Sequence, residues 1–166
     1  MQQADTLFVR ENAPYPNSQL PVLMYPDVFS GQDPAFAELF LKNGWTGVWV
    51  NGVYSFHHFH AAAHEALGCQ SGWARLMLGG PEGEEVTIAK GTAVLLPSGT
   101  GHKLLSCSVD FSIAGAYPKG QLPDLQRGDT GKYEQLKTAS RSVPLPESDP
   151  VYGLSGPVMA LWRLPG

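Results

Sequence analysis

Over residues 45–117 the chain alternates short apolar runs with glycine-containing or polar breaks. The runs are "GVWV", "GVYSFHHFH", "EALGCQ", "GWARLML", "EEVTIAKG", "TAVLLP", "HKLLSCSV" and "FSIAGAY". Runs of this length at this spacing predict seven or eight short strands, the pattern of a β-sandwich or a small barrel. Ahead of them, the first 30 residues are proline-rich and read as extended chain, with one short apolar strand near 20–25. One helix is predicted over 34–43. Asp33 suits the N-cap, Pro34 the first helical position, and Phe36, Leu39 and Phe40 make an i, i+3, i+4 stripe. Gly44 then ends it. Residues 118–150 turn polar and proline-rich, with "GKYEQLKTAS" as a short amphipathic helix, and "GPVMALWRLPG" predicts a closing strand that returns to a sheet edge.

Composition supports one all-β domain. At 166 residues the chain is long enough to bury a core and suits a single domain. That domain divides into a barrel core at about 45–117, an N-terminal arm carrying the helix, and a polar C-terminal extension over 118–166. Charged residues are only 16%, while 19 Gly and 14 Pro favour many turns over long helices. The net charge of −4, with no run of Lys or Arg, argues against nucleic acid or an anionic membrane as partner. The N-terminus has no basic n-region followed by an apolar one, and no apolar run approaches the ~20 residues of a membrane span. A cytoplasmic protein is the expectation. Cys69 and Cys107 make no disulfide framework and read as reduced thiols, although the sequence leaves a pairing between them open.

The chemistry concentrates in "HHFHAAAHEALGC", where four of the chain's five histidines fall within 57–64, with Glu65 behind them. In a strand register Tyr54, Phe56, His58 and His60 share one face, while His57 and Phe59 point to the other. Two imidazoles at i and i+2 form a chelating pair, and the short "AAAH" turn brings Glu65 back toward the same point. The fifth histidine, His102, follows a strand and a Pro-Ser-Gly turn; if the barrel closes, it faces His58 and His60. Imidazoles with one carboxylate suit Fe, Mn, Ni, Co, Cu or Zn.

These stretches resemble the two motifs of the cupin superfamily. Gly52, His58, His60, Glu65 and Gly72 fit G-(x)5-H-x-H-(x)4-E-(x)6-G. Gly91, Pro97, Gly99 and His102 fit G-(x)5-P-x-G-(x)2-H-(x)3, closing on Ser106 where the family usually has Asn. More narrowly, "HHFHAAAHEALGC", "GAYPKGQ" and "DPVYGLSGPVMALW" resemble the YjlB-like cupins. The resemblance implies a jelly-roll β-barrel with one or two short helices outside it. It implies one divalent metal ion per chain held by His58, His60, Glu65 and His102, and a homodimer. It further implies an oxygenase- or isomerase-like enzyme acting on a small oxygen-rich metabolite, with Glu65 as a candidate base. The alternative within the same family is a metal-containing binding or sensing protein without turnover.

Around this set, His64 is a candidate to hydrogen-bond an inner ligand or a substrate. Tyr54 and Phe56 are candidate pocket walls. Arg75 reads either as an anion clamp or as an outer-face strand residue, and Lys103 likewise. His57 points off the site face. The tryptophans read as core and sheet-packing residues. No phosphate loop, nucleophile motif or dinucleotide fingerprint is present.

Overall fold

In a computed structural model, which describes residues 4–163, seven of the eight apolar runs become strands. They are β3 (Thr46–Asn51), β4 (Glu65–Ser71), β5 (Trp73–Leu78), β6 (Glu84–Ala89), β7 (Ala93–Leu96), β8 (His102–Cys107) and β9 (Ser112–Tyr117). Two more precede them, β1 (Asp5–Leu7) and β2 (Val22–Tyr25), of which only β2 is foreshadowed by an apolar run. All pairings are antiparallel. One sheet has six strands in the order β1-β2-β7-β4-β9-β3, and the other three in the order β6-β5-β8.

A core between the sheets holds them face to face. Val22, Leu67, Val94, Leu96 and Ile113 from the large sheet pack against Ala74, Leu76, Leu78 and Ile88 from the small one. Each buried Leu, Ile or Val contributes about 1.5–3 kcal/mol relative to exposure, so this layer is a major source of the sandwich's stability. A second cluster on the outer face of the large sheet is closed by helix α1 (Phe36–Lys42), whose Phe36 and Phe40 are fully buried beside Trp45. The helix sits within the predicted span. Its N-cap, however, is Ala35 without a side-chain cap, and the Phe36 amide instead donates to Gln70 Oε1 at 2.9 Å.

The run "GVYSFHHFH" does not form a strand. It meets its neighbours through isolated bridges, His58 with His102 and Phe59 with Gln126, and through single backbone hydrogen bonds from the Leu104 N–H to the Tyr54 carbonyl and from the Gly99 N–H to the His60 carbonyl. Its alternation survives all the same. Phe59 is fully buried and His57 lies against Tyr15, both away from the face that carries His58 and His60.

After β9 the chain crosses the large sheet's end as an irregular segment and enters α2 (Tyr133–Arg141), the expected amphipathic helix. The expected closing strand is instead a helix, α3 (Pro157–Leu161); residues 164–166 of that stretch lie outside the described residues. The physical reason is local. Pro157 occupies the first helical position after an extended Gly156, and the buried Asp149 carboxylate accepts the Val158 N–H at 3.0 Å. No described helix is long and apolar enough to cross a membrane.

Candidate metal centre

The backbone bridge between His58 and His102, closed by N–H to O contacts of 3.1 and 2.8 Å, brings their imidazoles to 4.0 Å between centroids. His60 follows two residues on. Its carbonyl accepts from the Gly99 N–H at 2.8 Å and from Ser98 Oγ at 2.9 Å, which ties it to the turn preceding β8. That turn needs its glycine: Gly99 has φ +93°, and a Cβ there would come 2.7 Å from the Asn17 carbonyl oxygen. One nitrogen from each of His58, His60 and His102 lies within 4.8 Å of the other two.

All three rings are oriented by the same device. His58 Nδ1 contacts the Phe56 carbonyl at 2.9 Å, His102 Nδ1 contacts the Thr100 carbonyl at 3.1 Å, and His60 Nδ1 contacts the Asp124 carbonyl. A carbonyl only accepts, so each Nδ1 carries the proton and each Nε2 presents a lone pair. Glu65 opens β4 at the same end. Its Oε1 stands 3.3 Å from the Nε2 of both His60 and His102, and its Oε2 accepts the Tyr117 hydroxyl at 2.9 Å. Tyr117 in turn accepts from the Trp49 indole at 2.8 Å.

The electrostatics follow from burial and proximity. His58, Glu65 and His102 are each only 3% exposed. Burial, helped by the neighbouring His102, pushes His58 down to about 3, which keeps the ring neutral at neutral pH. Burial also acts to lower His60, but the Glu65 carboxylate outweighs it and the net direction is upward. For Glu65, burial opposes ionisation, and the adjacent His102 and His60 rings outweigh it, holding the carboxyl far below its usual range.

This donor set fits a divalent ion. Neutral imidazole Nε2 atoms and an ionised carboxylate are the protonation states a first-row metal requires, and their Nδ1 partners give the outer hydrogen bonds that orient metal-binding histidines. Ligands about 2.1 Å from one ion stand about 3 Å apart when adjacent, close to the 3.3 Å between Glu65 Oε1 and the two Nε2 atoms.

The cluster forms the floor of a cavity of about 570 Å³. Tyr54 lines it, its ring stacked on Phe56 at 4.8 Å and edge-on to His58 at 5.2 Å. Phe56 is not part of the lining. It backs Tyr54 and carries the Arg127 guanidinium 3.7 Å from its centroid.

Two expected neighbours lie elsewhere. His64 touches no ligand-type residue: its Nδ1 accepts the Ser98 N–H at 2.8 Å, its Nε2 donates to the Pro144 carbonyl at 3.1 Å, and its ring packs on Trp162. The turn after His60 points it away from the cavity. Arg75 is on the exposed face of β5, where both Nε and Nη2 meet the Glu85 carboxylate at 2.8 Å across the β5–β6 pairing. It is an outer-face strand residue. Three cavity residues have no counterpart in the sequence reading. Tyr117 stands opposite Glu65 in the β4–β9 register, Asp124 comes from the irregular segment, and Trp49, packed against the inter-sheet core as expected, also lines the cavity.

Two facing antiparallel sheets with a three-histidine, one-glutamate cluster at one end make this a cupin-type protein. Its close kin is specific. The chain is 32% identical over 162 residues to the uncharacterized protein YjlB of Bacillus subtilis (strain 168), spanning 96% of this chain and 97% of that protein, and it belongs to the YjlB family. No family model matches the chain.

Solved structures overlap it more loosely. An acireductone dioxygenase from Bacillus anthracis with a cadmium ion in its active centre matches with 16% identity and a TM-score of 0.38, over 54% of this chain and 61% of that one. The polyketide cyclase RemF from Streptomyces resistomycificus matches with 16% identity and a TM-score of 0.36, over 86% and 97%. A DUF861 family protein from Thermotoga maritima gives 20% identity and a TM-score of 0.32, over 52% and 92%.

Proposed function

We propose that the chain binds one divalent first-row metal ion through His58, His60, His102 and Glu65, and is an enzyme acting on a small oxygen-bearing metabolite in an oxygenase- or isomerase-type reaction. One observation carries the reading. Two buried imidazoles and one partly buried one all give Nδ1–H to a carbonyl and converge their Nε2 atoms beside a buried carboxylate. A structural role asks for no such agreement among three separate rings. A divalent ion there supplies a Lewis acid, and as iron or manganese a redox centre as well.

The chain's own groups do the rest. Tyr117 holds its proton toward Glu65 Oε2 and so keeps Oε1 aimed at the histidines. Both Glu65 oxygens are engaged, so it serves as a base only on letting Oε1 go, and we assign it first a ligand's role. Asp124, through its carbonyl on His60 and its carboxylate on the Ala61 and Ala62 N–H groups, pins the segment that carries the second imidazole. A homodimer in the cytoplasm completes the reading, with exposed strand edges as surfaces for a second copy to cover.

The test is metal content in protein purified without a metal-binding tag, beside His58→Ala and His102→Ala. We expect close to one ion per chain in the wild type and loss in both variants. A wild-type protein that carries no metal and takes none up on reconstitution overturns the proposal. Light scattering on a sizing column checks the dimer.

A further inference from the structure

The cavity above the cluster has a composition that selects its occupant. Its ligand-type groups lie together at the histidine–glutamate floor, Asn51 and Asp124 are its other polar side chains besides the tyrosines, and Trp49, Tyr54, Val53 and Leu67 supply aromatic and aliphatic walls. At the rim, Val50, Tyr54 and Leu125 are 56%, 55% and 46% exposed. Large apolar side chains left in water around one opening point to a ligand that covers them. Gly115 serves this design, since a Cβ there would stand 2.2 Å from the Trp49 indole that forms one wall.

Among the described residues, no Lys or Arg lines the cavity. Arg75 is held by Glu85 on the outer face of β5, Arg127 stacks on the Phe56 ring, and Lys103 follows His102 without lining the cavity. Asp124, the other carboxylate of the lining, already accepts from Ala61, Ala62 and Gln126. A divalent ion with three neutral imidazoles and one carboxylate leaves one positive charge. That charge balances a singly ionised oxygen pair and nothing more; a second anionic group in this apolar enclosure would go uncompensated.

We propose that the cavity takes a small aromatic or conjugated molecule carrying two adjacent oxygens, hydroxyl or carbonyl, at one edge and no phosphate, sulfonate or further carboxylate. The oxygen edge faces the histidines and the ring lies between the aromatic walls. The inference rests on the metal reading above and adds the ligand's class to it.

Two probes share a head and differ only in the body: 2,3-dihydroxynaphthalene and its 6-sulfonate. Each is titrated by calorimetry into full-length, metal-loaded protein, with metal content measured on the same samples before and after. We expect the neutral diol to bind at least tenfold more tightly than the sulfonate. Tyr54→Ala should weaken the diol about fivefold or more with metal content unchanged. Val50→Lys, a rim change on an exposed position, should bring the sulfonate to within about threefold of the diol. Metal-loaded protein that binds the sulfonate as tightly as the diol, or binds neither, overturns this inference and leaves the metal centre standing. Protein that cannot be loaded with metal overturns both.

Discussion

Replacing Asp149 by asparagine tests how the C-terminal segment is locked to the sheets. Asp149 is fully buried and its carboxylate accepts four hydrogen bonds. Oδ1 takes the Val151 and Tyr152 N–H groups at 2.8 and 2.9 Å; Oδ2 takes the Tyr25 hydroxyl at 2.8 Å and the Val158 N–H at 3.0 Å. No Lys or Arg ion pair to it is found among the described residues, so dipoles alone hold the charge. Burial first and this carboxylate second push the Tyr25 hydroxyl far above its ordinary value, so Tyr25 remains a donor. An asparagine keeps the shape but must turn an NH2 toward two donors. Its better orientation places that NH2 at the Oδ2 position, where the Tyr25 hydroxyl can rotate to accept it. The Val158 N–H is then stranded at about 1–3 kcal/mol. The remaining bonds lose their charge assistance, roughly half their strength, which adds about 1 kcal/mol. The total is about 2–4 kcal/mol. With a urea slope of about 2 kcal/mol per molar, the unfolding midpoint should fall by about 1–2 M. Tyr25→Phe removes one donor and should lower it by about 0.5 M. Urea titration followed by tryptophan fluorescence and circular dichroism measures both. An Asn midpoint within about 0.3 M of the wild type, at unchanged slope, would refute the assignment of Asp149 as the lock.

Tyr117→Phe removes the donor on Glu65 Oε2; we expect metal affinity to drop about 10–100-fold in chelator competition while the fold is kept. Cys69 is buried with its thiol pushed up to about 11 by that burial, whereas Cys107 is exposed. A thiol reagent at pH 8 should therefore label one cysteine per native chain and two per denatured chain. His64 is held neutral, its pKa pushed down to about 4 by burial. Its unfolded value is about 6.5, so the unfolded state binds more protons between these limits. Stability is complete above about pH 6.5 and falls toward pH 4 by up to about 3 kcal/mol. His64→Gln, which can keep both backbone hydrogen bonds, should flatten the urea midpoint's slope across that window relative to wild type.

The strands from β3 onward and the four ligand-type residues could be read from the chain because their signals are local. Apolar runs end at glycines, and His58, His60 and Glu65 lie within one turn of each other along the sequence. What could not be read depends on register and on loops. Tyr117 belongs with Glu65 only because β4 and β9 pair Ala66 with Ala116, which puts the next residues of each strand side by side. Asp124 reaches His60 from 64 positions away with no periodic signal. The closing helix was hidden for a different reason: "GPVMALW" is apolar enough for a strand, and its Gly-Pro start reads as a helix N-terminus once Asp149 is there to accept from it. These unread parts share one property. Tyr117, Asp124 and the Phe56 and Thr100 carbonyls do not supply the ligand atoms; they set which nitrogen or oxygen each ligand residue presents. A motif specifies the donors by type and spacing. The protonation and aim that suit them to a metal ion come from contacts that the sheet register and the irregular segment create, which is why substitutions at Tyr117 test the proposed site as directly as substitutions at the histidines.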